Sequence, residues 1–228
     1  MRIAVIPARG GSKRIPRKNI KLFSGQPMIS FAIEAAFRSK LFDEVVVSTD
    51  DREIGQLARQ YNATIPFIRP ANLADDYTPT VPVISHAIQE LEKRGKIITA
   101  ACCIYPCVPL LDETDIIDSW QLLKKGSSFY SFPIVEFPSA IQRALKRNSK
   151  GVVGPIFSDH TITRTQDLEP AYYDAGLFYW GWREGWVKQY EIHPNGLGLV
   201  IPTWRTVDID TPDDWRRAEI IFETLKNA

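Results

Sequence analysis

Arg2-Ile3-Ala4-Val5-Ile6-Pro7, followed at once by Ala8-Arg9-Gly10-Gly11-Ser12-Lys13, decides the fold. The first six residues are a short apolar run with β-branched side chains, which reads as a buried strand. Ala8 to Asn19 is Gly-rich and basic, which reads as a loop leaving that strand. Pro27, then Met28, Ile29, Phe31, Ala32, Ala35 and Ala36, predicts a helix with Pro in its first turn. Glu44 to Ser48 is a second strand. Asp50 or Asp51 can cap the next helix, whose Ile54, Leu57, Ala58 and Tyr61 share one face. Thr64 to Ile68 reads as a third strand, and the polar loop Arg69 to Pro79 precedes a helix through Val83, Ala87, Ile88 and Leu91. Ile97 to Ile104 is a fourth strand, apolar on both faces. Asp112 to Lys124 follows as a helix and Ser128 to Phe132 as a further strand.

This alternation implies a three-layer α/β/α, Rossmann-like domain, with helices on both sides of a mostly parallel sheet. In such sheets ligands bind beyond the carboxyl ends of the strands, so the chemistry is expected there.

The rhythm breaks after Phe132. Residues 133–174 read as an inserted arm, with a basic stretch (Arg143, Lys146, Arg147, Lys150) and turn signals at Asn148-Ser149-Lys150-Gly151 and Gly154-Pro155. Regularity returns with Ala175 to Trp180, a helix near Arg183 to Tyr190, and strand-like runs at Leu197 to Ile201 and Thr206 to Ile209. The last helix starts at Thr211-Pro212-Asp213-Asp214, with a cap, Pro at its first position and acids in its first turn.

At 228 residues the chain suits one domain. Lys plus Arg is 28 and Asp plus Glu is 27, a net charge of +1, which argues against a nucleic-acid binder. Ile97 to Leu111, the longest apolar stretch, is broken by Pro106 and Pro109 and is too short for a membrane span. The start is not a signal peptide, because Arg9 ends the apolar run, so a cytoplasmic protein is expected. Cys102, Cys103 and Cys107 are an odd set without metal-site spacing and read as inert packing in a buried strand.

Seven Lys or Arg precede the first acidic residue, Glu34. A charge-balanced protein with so one-sided a start has placed cations for an anion. Gly10 and Gly11 let backbone amides approach it, and Arg9, Lys13 and Lys18 add charged donors. The order is neither Gly-x4-Gly-Lys-Ser/Thr nor Gly-x-Gly-x-x-Gly, so a free triphosphate fits better than a nicotinamide dinucleotide. A second signal is Val207-Asp208-Ile209-Asp210-Thr211. On a strand these carboxylates would stand about 6.5–7 Å apart on one face. They would repel by roughly 2–3 kcal/mol at an effective dielectric near 20. In a cleft such a pair suits a hard cation such as Mg2+; alternatively both are solvated, or Asp210 caps the last helix. A third signal, Arg69-Pro70-Ala71 to Thr80, could read a base and ribose through Arg69, Thr78 and Thr80, or simply cap a loop. His86, His160 and His193 are scattered and offer no catalytic base, and no nucleophile motif is present.

Together these segments resemble the CMP-sialic acid synthetases, cytidylyltransferases of acidic nine-carbon sugars. The opening motif appears as Ile6 to Lys13 with Pro16-Arg17-Lys18-Asn19. Val47-Ser48-Thr49-Asp50, Arg69-Pro70-Ala71 and Asp208-Ile209-Asp210 match further blocks. Ile104 to Pro109, Phe157-Ser158-Asp159-His160 and Tyr172 to Tyr179 are most similar to the pseudaminic acid branch. Tyr105 stands where sialic acid enzymes carry Gln, and their Lys near Ala140 is absent.

The resemblance implies CTP binding by Ala8, Arg9, Gly10, Gly11, Ser12, Lys13, Lys18, Asn19, Arg69, Thr78 and Thr80. It implies sugar binding by Tyr105, Arg164, Gln166 and Tyr179, and Mg2+ on Asp208 and Asp210. Arg9, Lys13, Asp208 and Asp210 are the implied catalytic set. The implied reaction is attack of the sugar's anomeric hydroxyl on the α-phosphorus of CTP, with a water on the metal or Asp210 as candidate base. The arm is implied to form a homodimer and to lend residues to the partner's site. Legionaminic acid, N-acetylneuraminate or Kdo as the sugar, a nucleotide-sugar glycosyltransferase, and a non-enzymatic nucleotide-binding module remain the alternatives.

Overall fold

The structure, a computed structural model, describes residues 1–160 and 162–226. In chain order the strands and helices are β1 (Arg2–Pro7), β2 (Leu22–Phe23), β3 (Gln26–Pro27), α1 (Met28–Ser39), β4 (Glu44–Ser48), α2 (Arg52–Gln60), α3 (Thr80–Glu92), β5 (Ala100–Ile104) and α4 (Glu113–Lys125). They continue as β6 (Tyr130–Glu136), β7 (Leu145–Arg147), β8 (Val153–Pro155), β9 (Tyr172–Asp174), β10 (Phe178–Trp182), α5 (Arg183–Val187), β11 (Gly196–Val200) and α6 (Pro212–Lys226).

The main sheet runs β11-β6-β10-β5-β1-β4, with β9 added to the far part of β6. β1 pairs in parallel with β4 and β5, placing Val5 beside Val46 and Cys103. The period of two along β1 sorts its side chains. Ala4 and Ile6 pack with Ile29 and Ile33 of α1, Ile54 of α2 and Ile116 of α4. Ile3 and Val5 pack on the other face with Ile84 and Ile88 of α3 and Trp186 of α5. Both faces are therefore covered, giving the expected three layers. Cys102 and Cys103 fall on opposite faces, both buried.

Caps fix several helix starts. Asp51 accepts from the amides of Glu53 and Ile54 at 2.9 and 3.0 Å. Asp112 accepts from Thr114 N at 2.8 Å. At α6, Thr211 N donates to Asp214 Oδ2 at 2.8 Å and Asp214 N donates back to Thr211 Oγ1 at 3.2 Å, a reciprocal cap.

Several expectations need correction. The sheet is mostly parallel as expected, but β10 runs antiparallel between β5 and β6, and β9 antiparallel to β6. Thr64 to Ile68 is not a strand; only Thr64 bridges Val46, since Pro66 has no N–H to extend the ladder. β5 is shorter than Ile97 to Ile104, and the Ile97 side chain is exposed. β6 runs on to Glu136 because β9 and β11 flank it, so residues 133–136 and 172–174 belong to the sheet and the excursion spans 137–171. Pro27 is the N-cap of α1, not part of its first turn. The helix near Arg183 stops at Val187. Thr206 to Ile209 is an unpaired extended segment, because Val207 and Ile209 pack instead against Ile15, Phe23, Leu110 and Trp215. Cys107 lies outside the strand, after Pro106.

Candidate active site

The turn after β1 is held against its neighbours by backbone contacts. Ala8 N donates to Ser48 O at 3.0 Å and Gly10 N to Asp50 Oδ1 at 3.1 Å. A Cβ on Gly10 would stand 2.6 Å from Asp51 Oδ2, so this glycine is required by the close approach of the α2 cap. Gly11 has open space around it. The pair thus divides the work: Gly10 packs the loop down and Gly11 leaves its outer side free.

Beyond the loop lies a cavity of about 650 Å3 at the carboxyl ends of β1 and β5. Arg9, Ser12, Lys13, Lys18 and Asn19 line one wall. Arg69, Thr78 and Thr80 line the next, followed by Tyr105, Cys107 and Gly176. Asp208 and Asp210 complete the lining. Segments nearly 200 positions apart thereby share one space. Ala8 and Gly10 sit behind the surface as the frame of the turn, and Gly11 is exposed beside them. Tyr179 lies behind Tyr105, with ring centroids 5.6 Å apart and edge-on. Arg164 and Gln166 are exposed on the arm and do not reach the cavity of their own chain.

The cations are already engaged. Arg9 Nη1 pairs with Asp76 Oδ1, and Lys13 Nζ is 2.5 Å from Asp76 Oδ2. Those bonds, Lys13's first, hold the Asp76 carboxyl below the usual carboxylate range. Arg14 Nη2 lies 2.9 Å from Asp210 Oδ2. Lys18 Nζ donates to Ile209 O at 2.5 Å. Neither Asp76 nor Arg14 was picked out by the sequence. Asp76 sits within the third motif, but the pairing of an acid with the first motif's cations has no local signature.

Ser12 Oγ turns inward and donates to Ile15 O at 2.7 Å. Asn19, buried, donates from Nδ2 to Arg9 O at 2.9 Å and accepts the Cys107 thiol at 3.3 Å. Burial pushes that thiol up to about 12, so it is a neutral donor. Arg69, 4% exposed, donates through Nε and Nη2 to Ser48. Burial lowers its pKa to about 10, and it remains charged at neutral pH. Thr80 Oγ1 and the Tyr105 hydroxyl are 2.8 Å apart.

Asp208 opens into the cavity, yet the surrounding protein raises its pKa, first by desolvation and then by the Asp210 charge. Among the described residues no donor hydrogen-bonds its carboxylate. Hard oxygen donors that repel each other fit a divalent cation. Among the described residues no cluster of three or more His, Cys, Asp or Glu is placed to hold a metal. A Mg2+ on the pair would draw its other ligands from substrate oxygens and water, which is how this ion is usually held.

The segment bearing these acids is anchored from behind. Arg205 forks onto Asp115, Nη1 to Oδ2 at 2.8 Å and Nη2 to Oδ1 at 3.0 Å, and lies 3.4 Å from Asp112. This anchor too was missed in the sequence, where Arg205 is one cation among many.

A family model described as cytidylyltransferase matches residues 3–181. The chain is 40% identical to the pseudaminic acid cytidylyltransferase of Campylobacter jejuni subsp. jejuni serotype O:2, covering 97% of this chain and 96% of that one. It is 30% identical to the CMP-N,N'-diacetyllegionaminic acid synthase of Legionella pneumophila, over 99% and 98% of the two chains. The structure resembles a CMP:2-keto-3-deoxy-manno-octonic acid synthetase complexed with CTP, with a TM-score of 0.71 over 98% of this chain and 99% of that one. At 16% identity, that likeness speaks for the fold alone. Among the described residues no helix is long and apolar enough to cross a membrane.

Proposed function

The chain belongs to the cytidylyltransferase family, and from that premise we propose that it transfers CMP from CTP to the anomeric hydroxyl of pseudaminic acid, in the cytoplasm. The observation that carries this reading is the convergence of the basic loop 9–18 and the Asp208–Asp210 pair on one cavity.

Arg9 and Lys13 leave Asp76 to receive the β- and γ-phosphates, with Gly11 on the open side of the loop. Lys18 and Asn19 lie by the ribose and triphosphate, and Arg69, Thr78 and Thr80 take the cytidine. The sugar's anomeric oxygen bonds to the α-phosphorus in line with the departing group. The bond from that phosphorus to the bridging oxygen breaks, and pyrophosphate leaves with the electron pair. The hydroxyl proton passes to Asp210 or to water. Arg9 and Lys13 stabilise the charge that develops on the leaving group, where fixed cations act with little reorganisation. Asp208 and Asp210 would hold Mg2+, which when bound draws charge from the phosphate oxygens and acidifies the attacking hydroxyl.

Tyr105 faces the sugar, and Arg164 and Gln166 reach it from the arm of a second copy. The arm exposes Leu145, Val152, Val153 and Ile156, apolar surface that suits a homodimer interface. A second reading keeps the chemistry and changes the sugar to legionaminic acid, favoured by the similarity to the Legionella synthase. Incubation with CTP, Mg2+ and a panel of nonulosonic acids, read by mass spectrometry, separates these. The CMP conjugate of pseudaminic acid is the expected product; CTP binding without pyrophosphate release in the presence of any sugar would sink the assignment.

A further inference from the structure

One half-buried carboxylate joins three groups behind the Tyr105 side of the cavity and has no part in the reaction described above. Asp174 ends β9, opposite Ile134 of β6. Its Oδ1 accepts the Gly176 amide at 2.8 Å. Its Oδ2 accepts the Tyr179 hydroxyl at 2.9 Å and lies 2.8 Å from His193 Nε2. The His193 side chain is mostly exposed and its ring packs edge-on against Phe132.

Each of these contacts leads towards the cavity. Gly176 lines it, at φ +64°, in the left-handed region that glycine tolerates. Tyr179 is 6% exposed and wedged between Tyr105 and Phe132, with centroids 5.6 and 5.7 Å away. Tyr105 is the cavity wall, hydrogen-bonded to Thr80. The backbone completes the ring, because Tyr105 N donates to Leu177 O at 2.9 Å.

Without the carboxylate, the buried Tyr179 hydroxyl loses the acceptor it now uses and the Gly176 amide loses its tether. A buried polar group without a partner is costly, so the ring and the turn would move to satisfy themselves. Either movement shifts Tyr105. Burial, then the nearby Tyr105 and Asp174, raise the Tyr179 pKa, so this phenol stays a neutral donor to Asp174.

We propose that Asp174 is the positioning residue of the acceptor-sugar side of the cavity: by holding Tyr179 and the Gly176 turn together, it sets where Tyr105 meets the sugar. This rests on the reading that Tyr105 faces an acidic sugar. The role is specific because the groups it holds are Gly176, Tyr179 and His193, none of which hydrogen-bonds Arg9, Lys13 or Arg69 among the described residues.

The test is steady-state kinetics and CTP titration on wild type, Asp174→Ala, Asp174→Asn and Tyr179→Phe. Asp174→Ala is expected to raise the sugar KM by about tenfold or more, the scale of small misplacements in a site, with the Kd for CTP within about twofold of wild type. Asp174→Asn keeps an acceptor and is expected to recover most of that loss, while Tyr179→Phe shares the loss. Should Asp174→Ala fail to fold, the other two variants carry the test. An unchanged sugar KM in both, with wild type active, overturns the positioning role alone. Equal losses in sugar KM and CTP affinity also overturn it, since they mark general damage. A wild type that turns over no nonulosonic acid overturns the functional reading and this inference with it.

Discussion

Lys18 and Asp210 are 192 positions apart in the chain, yet Lys18 Nζ lies 3.4 Å from Asp210 Oδ1 and donates to Ile209 O beside it. This contact closes the cavity between the N-terminal loop and the segment before α6. It also means that the acidic pair is partly neutralised by Lys18 and Arg14 before any cation arrives.

Arg9→Ala removes a cation proposed to meet the departing pyrophosphate. Turnover is expected to fall by about 100-fold, the effect of losing one fixed donor at developing charge. Pyrophosphate release at saturating CTP measures it. A wild-type rate would remove Arg9 from the leaving-group side.

Asp76→Asn frees Arg9 and Lys13 from their carboxylate. CTP affinity is expected to rise by about twofold to fivefold, the scale of an exposed ion pair, and the gain should shrink with added salt. Calorimetric titration reads it. A weaker affinity would show that Asp76 helps hold the nucleotide instead.

Asp210→Asn is expected to lower Mg2+-dependent turnover by at least about 100-fold, since the pair loses a charged hard ligand. Chelation of divalent cations should silence wild type likewise. Full activity of wild type after chelation would defeat the metal assignment.

Arg205→Met leaves Asp115, which is buried, without its forked partner. Breaking a buried pair this way costs about 3–5 kcal/mol. Denaturant unfolding is expected to show a loss of that order, together with reduced activity because Asp208 lies three residues on. Desolvation already raises the Asp115 pKa despite Arg205. A folded pKa above the unfolded one means ionisation opposes folding. The deficit should therefore be smallest at acid pH and grow as pH rises through the carboxylate range. A deficit independent of pH would exclude this cause.

Asp51 gives the opposite sign. It is held low, first by the Arg17 side chain, Nη1 to Oδ2 at 2.5 Å, with its own desolvation opposing and the Ile54 amide also helping. Its folded pKa lies below the unfolded one, so its stabilisation is present above the unfolded value of about 3.9 and is lost as pH falls through the folded value. Asn at position 51 still caps a helix, so the stability gap between wild type and Asp51→Asn should be open at pH 7 and close in acid. Parallel melts at pH 7 and pH 3 decide it; an equal gap at both would assign the effect to the cap alone.

Much of this architecture was legible because the core elements obey local rules. The run Arg2 to Pro7 reads as a covered strand, the Asp50-Asp51 pair and Thr211 announce their helices, and the glycines and cations after Pro7 mark a basic loop. Where the reading failed, a non-local cause decided. Val207 to Asp210 has a strand's alternation, but its apolar residues found a pocket beside Phe23 and Trp215 instead of a partner strand. β10 looks like any apolar strand; its direction depends on how the chain returns from the arm.

Sequence alone therefore determined the layers and the two charged motifs, because period, capping and charge are properties of neighbouring residues. Only the folded chain decided that Asp76 sits on Arg9, that Arg205 grips Asp115, and that Asp174 gathers Tyr179, Gly176 and His193. Contacts between distant segments depend on how packed elements meet in space, and that geometry leaves no mark on any single stretch of residues.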